Sequence, residues 1–175
     1  DLDGDRRPFN AHGYASPRTD IVADEHITAN GAPFRTWYVP DDTATIQQAI
    51  DASSPCDRIF VRPGTYQERI RMQAKPLVLR SIEGPSQTRI EGEGVVVEIG
   101  ANSELTGFTI VHTGSVPAPG VLVHGSGTLI RQNVLSGDSS AEGFTSIAGT
   151  RASPQLDGNL FRENRCAAAP EGAAL

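Results

Sequence analysis

Apolar residues in this chain come in short runs set off by turns, and one such run is written three times. Leu105-Thr106-Gly107-Phe108-Thr109-Ile110, Ile130-Arg131-Gln132-Asn133-Val134-Leu135 and Leu156-Asp157-Gly158-Asn159-Leu160-Phe161 share apolar first and last positions, offset by 25 and then 26 residues. A fixed period of this size specifies a solenoid. The phrase carries β-branched residues, Gly and Asn but no helical face, so the unit is a short strand with its turns. Successive strands then stack in parallel, one rung per coil. Asn133 lies one coil before Asn159, where stacked side-chain amides bond to one another along the stack.

One segment departs from this pattern. From Thr45 to Ala52, Ile46, Ala49 and Ile50 fall at i, i+3 and i+4, the apolar face of a helix. Thr45 with Gln48 three residues on has the capping-box form, and Ser53-Ser54-Pro55 ends the segment. A helix placed before a strand solenoid covers the first coil, with Ile46 and Ile50 pointing into it. The strands that follow are expected at 58–61, 69–72, 77–79, 95–99, 108–111, 121–124 and 129–135. In the second of these Ile70 and Met72 alternate with Arg69 and Arg71, so the apolar pair faces in and the arginines out. Residues 115–120 and 136–142 read as longer loops. Three parts result: an irregular leader over 1–37, an ordered body over 38–165 that opens at Trp37-Tyr38-Val39-Pro40 and carries the helix over 45–52, and a tail or linker over 166–175.

Composition changes this picture in two ways. Gly 18 and Pro 12 exceed the usual share and suit a turn-rich, thin-cored solenoid. The net charge of −6 argues against nucleic acid as a partner, yet it conceals an asymmetry. Between Arg58 and Arg89 seven Lys and Arg face two Glu, a local balance of +5 against −11 for the remainder. No run approaches the roughly 18 apolar residues of a membrane span. Cys56 and Cys166 stand near opposite ends of the expected stack, on the order of 20 Å apart and beyond disulfide reach, so they read as unpaired thiols.

The stretch Thr45-Ile46-Gln47-Gln48-Ala49-Ile50-Asp51-Ala52, followed by Asp57-Arg58-Ile59-Phe60-Val61-Arg62-Pro63-Gly64-Thr65-Tyr66-Gln67-Glu68, resembles the start of secreted right-handed parallel β-helix proteins of the pectin-lyase-like superfamily. The later GFTI, RQNVL and SPQLDGNLFREN phrases resemble coils of the same proteins. The resemblance covers roughly 38–165 and implies an all-β fold: a right-handed parallel β-helix with a short N-terminal capping helix. In the leader, Asp1-Leu2-Asp3-Gly4-Asp5-Arg6-Arg7-Pro8 and Thr19-Asp20-Ile21-Val22-Ala23-Asp24-Glu25 resemble the closing phrase of bacterial β-helix domains. By that resemblance the leader is the end of a preceding β-helix module, or packs beside this one.

The carbohydrate esterases, pectate lyases and galacturonan hydrolases of this superfamily each imply a set of Asp and Arg residues. None of these sets can be matched residue by residue here, and neither Asp157 nor Asp138 has a second carboxylate at a recognisable offset. His112 and His124, with Asp138, lack a recognised metal-ligand spacing. Asp1, Asp3 and Asp5 are oxygen donors of the kind calcium prefers, without the rest of an EF-hand loop; the alternative is a set of turn-forming side chains. The basic strip is the best binding candidate: Arg69, Arg71 and Arg80, with Arg58, are placed to line an outer face where guanidinium groups hold sugar carboxylates. Tyr66 reads as a first-coil core residue. The expected function is a non-catalytic module of a secreted or cell-surface protein that binds acidic polysaccharide or acts as a spacer. The alternatives are a uronate lyase or esterase with an unrecognised site, and a structural subunit stacking end to end.

Overall fold

The computed structural model describes residues 34–72, 75–114, 118–137 and 147–164. One compact unit begins at Arg35, and its first strand is β1 (Thr36–Val39). The leader aspartates Asp1, Asp3 and Asp5, the residue Asp138, and the tail from 166, with Cys166, lie outside the described residues.

Helix α1 (Ile46–Ala52) follows β1, and twelve further strands complete the unit: β2 (Arg58–Val61), β3 (Gly64–Gln67), β4 (Ile70–Met72), β5 (Val78–Ser81), β6 (Thr88–Gly92), β7 (Val97–Ile99), β8 (Glu104–Thr106), β9 (Thr109–His112), β10 (Val121–Arg131), β11 (Val134–Ser136), β12 (Ile147–Asp157) and β13 (Leu160–Arg162). Every pairing between them is parallel. The strands build three faces. The first runs β1, β2, β5, β8 and the ends of β10 and β12; the second β3, β6, β9, β11 and β13; the third β4, β7 and the starts of β10 and β12. β10 and β12 each turn a corner without interruption, which joins the first and third faces into one sheet. The fold is therefore a parallel β-helix of about four turns.

The repeated phrase is the register of this helix. Leu105 pairs with Ile130 and Ile130 with Leu156, while Ile110 pairs with Leu135 and Leu135 with Phe161. The same inward columns extend back through Leu79, Ile59 and Trp37 on the first face and through Ile90 and Tyr66 on the second. On the third face Ile70, Val97 and Val121 form one column and Met72, Ile99 and Val123 another. Nearly all of these side chains are buried, each fully buried aliphatic one contributing roughly 1.5–3 kcal/mol.

The corner between the first and second faces is a two-residue turn at 107–108, 132–133 and 158–159. Its first residue is left-handed each time, with φ of +82° at Gly107, +54° at Gln132 and +60° at Gly158, a conformation that glycine adopts without steric cost. The second residue carries the amide stack. Asn133 Oδ1 accepts from the Phe108 amide at 2.9 Å, its Nδ2 donates to Leu105 O at 2.9 Å, and Asn159 Oδ1 accepts from both the backbone and side-chain nitrogens of Asn133. These bonds answer backbone groups that the tight turn would otherwise strand inside the coil.

At seven residues, α1 is far shorter than the ~12–15 needed for an isolated helix, so tertiary contacts hold it. Ile46, Ala49 and Ile50 are buried against β1, β2 and β4. Thr45 caps the helix by accepting from the Gln48 amide. The Glu68 carboxylate accepts from the Ile46 and Gln47 amides, both at 2.9 Å, while Lys75 Nζ donates to the carbonyls of Ile50, Asp51 and Ser53. A carboxylate at the N-terminus and an ammonium at the C-terminus both match the helix dipole. The buried Asp57 ties this end together, accepting from the Arg35 amide, the Trp37 indole and the Ser54 amide.

Candidate functional site: the outer faces

Alternation along each strand sends every second side chain outward, so each face displays columns set by register. The four arginines of the basic strip fall on two faces. Arg58 in β2 and Arg80 in β5 project from the first face, whereas Arg71 in β4 and the adjoining Arg69 belong to the third. Coil length explains the division, since a strip continuous in sequence is wound around the solenoid instead of lying along it.

The two sets also differ in their surroundings. Arg71 lies 3.7 Å from Glu98, whose other oxygen is 4.0 Å from His124 Nε2. Arg69 donates to Val95 O and lies in a shallow depression with Asp51 and Gln47. Acidic side chains thus accompany the arginines of the third face. On the first face Arg80 is exposed and Arg58 half-buried, and among the described residues neither side chain makes a hydrogen bond or an ion pair.

Register places aromatic rings in the same column as Arg80. Tyr38 pairs with Phe60 and Phe60 with Arg80. The Tyr38 and Phe60 rings lie 5.8 Å apart at 32°, and both project outward. Below Arg80 the column continues through Thr106, Arg131 and Asp157. Arg131 is committed: its Nη2 and Nε donate to Glu104 Oε1 at 2.8 and 3.2 Å, and Thr106 donates to the same oxygen. Partial burial works against ionisation of Glu104, but hydrogen bonds from Arg131 and Thr106, with the charges of Arg131 and Arg80, hold its carboxyl below the usual range. The upper half of the face therefore presents two rings and two guanidinium groups outside any hydrogen bond or ion pair among the described residues, Arg80 acting on Glu104 only through its charge, and the lower half a closed ion pair. Sequence reading missed the rings, although their separation of 22 residues is one early coil.

The remaining candidates disperse. His112 ends β9 on the second face and is buried, while His124 lies on the third, so the two fall on different sheets. Among the described residues no three His, Cys, Asp or Glu are grouped to hold a metal ion, and no helix is long and apolar enough to cross a membrane. Cys56 is free and exposed. Tyr66 occupies the inward column of the second face, partly buried against the core, its hydroxyl donating to Arg62 O. Burial, with the charges of Glu68 and Asp41, raises its phenol above the ordinary range.

Among solved structures the chain is similar to a pectin methylesterase in complex with a hexasaccharide, with a TM-score of 0.56 and 16% identity over 74% of this chain and 54% of that one. The likeness is one of fold. It accords with the pectin-lyase-like resemblance of the sequence, and the chain spans about half the length of that methylesterase. A pectin methylesterase from Aspergillus niger gives a TM-score of 0.44 at 16% identity, over 79% of this chain and 59% of that one. No protein-family model and no curated protein sequence matches the chain.

Proposed function

We propose that the protein is a non-catalytic β-helix module of a secreted or cell-surface protein, and that it binds acidic polysaccharide along the upper half of its first face. One observation carries the reading: Tyr38, Phe60 and Arg80 stand in a single outward column with Arg58 on the neighbouring strand position. Aromatic rings stack on the apolar faces of sugar rings, and guanidinium groups without an internal carboxylate are available to the carboxylate of a uronate. The solved structure of similar fold holds a hexasaccharide, which supports a saccharide as the class of ligand.

Retention on immobilised polygalacturonate, followed together with release of methanol from pectin and of unsaturated uronide, tests this reading. Retention without product is expected, with Arg80→Gln and Phe60→Ala each weakening it at least about tenfold, a loss of roughly 1.4 kcal/mol. Product formation would make the protein an enzyme; undiminished retention in both variants would move the site off the first face. Repeating the retention with calcium and with chelator tests whether Asp1, Asp3 and Asp5 contribute a calcium site.

End-to-end association is a second reading, favoured by the exposure of Leu156 and Phe161 in the last coil. A molar mass that rises with concentration in light scattering would support it, and a constant monomer mass would remove it.

A further inference from the structure

The outer surface of the second face carries a groove of about 550 Å³ whose lining includes none of Arg58, Arg69, Arg71 and Arg80. Its floor is one outward column, Thr65, Arg89, Thr109 and Val134, paired strand to strand across β3, β6, β9 and β11, and Arg162 of β13 lines its far end. Five rungs at about 4.8 Å give it a length on the order of 20 Å along the solenoid axis. Ser86 and Gln87, from the turn between β5 and β6, form a side wall. This wall is fixed: the Thr109 hydroxyl donates to Pro85 O at 2.6 Å, and Ser81 Oγ bonds both Gly84 and Thr88 at its base.

The groove differs from the first face in charge. Arg89 is paired with Glu91 on its own strand, and Arg162 and Glu163 bring one charge of each sign to the lining, so the cations and carboxylates are equal in number. Hydroxyl and amide groups supply the rest of its polarity, and Val134 gives an apolar patch at mid-floor. Long, straight, charge-balanced, rich in hydroxyl partners and apolar at its centre, such a surface suits a chain of uncharged sugar rings, whose edges are hydroxyls and whose faces are C–H. The formal charges of Arg89, Glu91, Arg162 and Glu163 sum to zero, so a polyanion gains no net positive charge there.

We infer that the groove of the second face is a binding site for a linear neutral oligosaccharide. Because it and the column of Tyr38, Phe60 and Arg80 lie on different faces, the module then engages a neutral and an acidic glycan at once, bridging two polymers.

Titration of the full chain with cellohexaose, xylohexaose and mannohexaose, read by calorimetry, tests the inference. At least one is expected to bind with Kd below about 1 mM. Val134→Arg and Thr65→Arg, both at outward strand positions, are expected to weaken that binding at least about tenfold. Arg80→Gln is expected to leave it unchanged, and hexagalacturonate not to compete. The inference is overturned if none of the three binds, if neither groove variant weakens binding, or if hexagalacturonate competes. Each outcome is read independently of retention on polygalacturonate, so the acidic and neutral sites stand or fall separately.

Discussion

The two ends of this solenoid are made from the same columns of side chains and finished in different ways. At the first coil Ile59 is fully buried beneath α1 and β1, and Glu68 and Lys75, reaching back 22 and 25 residues, fasten the two ends of the helix. At the last coil Leu156 and Phe161 continue the columns of Leu105 and Ile110 but are 51% and 48% exposed. Identical sequence signals thus have different energetic weight according to whether another rung lies beyond them. A repeat phrase reports register; the next layer decides how much that register is worth.

Paired substitutions in one column offer the sharpest test. Leu105→Ala is expected to destabilise by about 2–5 kcal/mol, as for other buried leucines, whereas Leu156→Ala should cost under about 1 kcal/mol. Urea denaturation of both variants checks this, and equal losses would mean that the last coil is covered in solution. Glu68→Ala comes next, at about 2–3 kcal/mol, because it leaves two helix amides without their charged acceptor. Lys75→Met should cost less, about 1 kcal/mol, in keeping with a partly exposed charge at a helix C-terminus. If both changes proved neutral, α1 would be held by its apolar face alone.

Acid titration probes the lower half of the first face. Glu104 is depressed below its ordinary value of 4.5, so its ion pair stabilises the fold above about pH 4.5 and loses that contribution as pH falls through the folded value. Glu104→Gln should therefore flatten the acid limb of the stability curve, lowering stability near neutrality and changing it little at low pH, as urea denaturation across pH would show. The smallest expected effect is a gain: Gln132→Gly relieves a left-handed residue at a corner where two equivalent positions are already glycine, for up to about 1 kcal/mol, measured as a rise in Tm.

The parts of the fold legible in the sequence were those written in local or strictly periodic terms. The helix with its Thr45 cap, the outward direction of Arg71 and the pairing of the three late phrases could all be read that way. The early coils were harder, because Ile59 to Leu79 is 20 residues and Leu79 to Leu105 is 26, so no single period links them to the late ones. Strands β3, β6 and β8 were missed, since Gly64, Thr88 and Glu104 begin them without an apolar run and pairing alone makes them strands. The outer surfaces were least legible. Whether Arg58 and Arg80 share a face with Arg69 and Arg71 depends on how many residues each corner consumes, and that count is a property of the wound chain. The ring pair Tyr38–Phe60 was hidden for the same reason.

The unequal corners bear on how this chain tolerates insertion and deletion. Connections from the second face to the third span 68–69, 93–96, 113–120 and 137–146, growing coil by coil, while the corner from the first face to the second is two residues at 62–63, 107–108, 132–133 and 158–159 and six at 82–87. An inserted codon at the first kind of corner lengthens a connection and leaves every rung in place. At the second kind it breaks the amide stack and shifts all later strands out of step. In the coils that carry the amide stack, heritable length variation is thereby channelled to one longitudinal seam, where new surface can accumulate without disturbing the barrel that displays it.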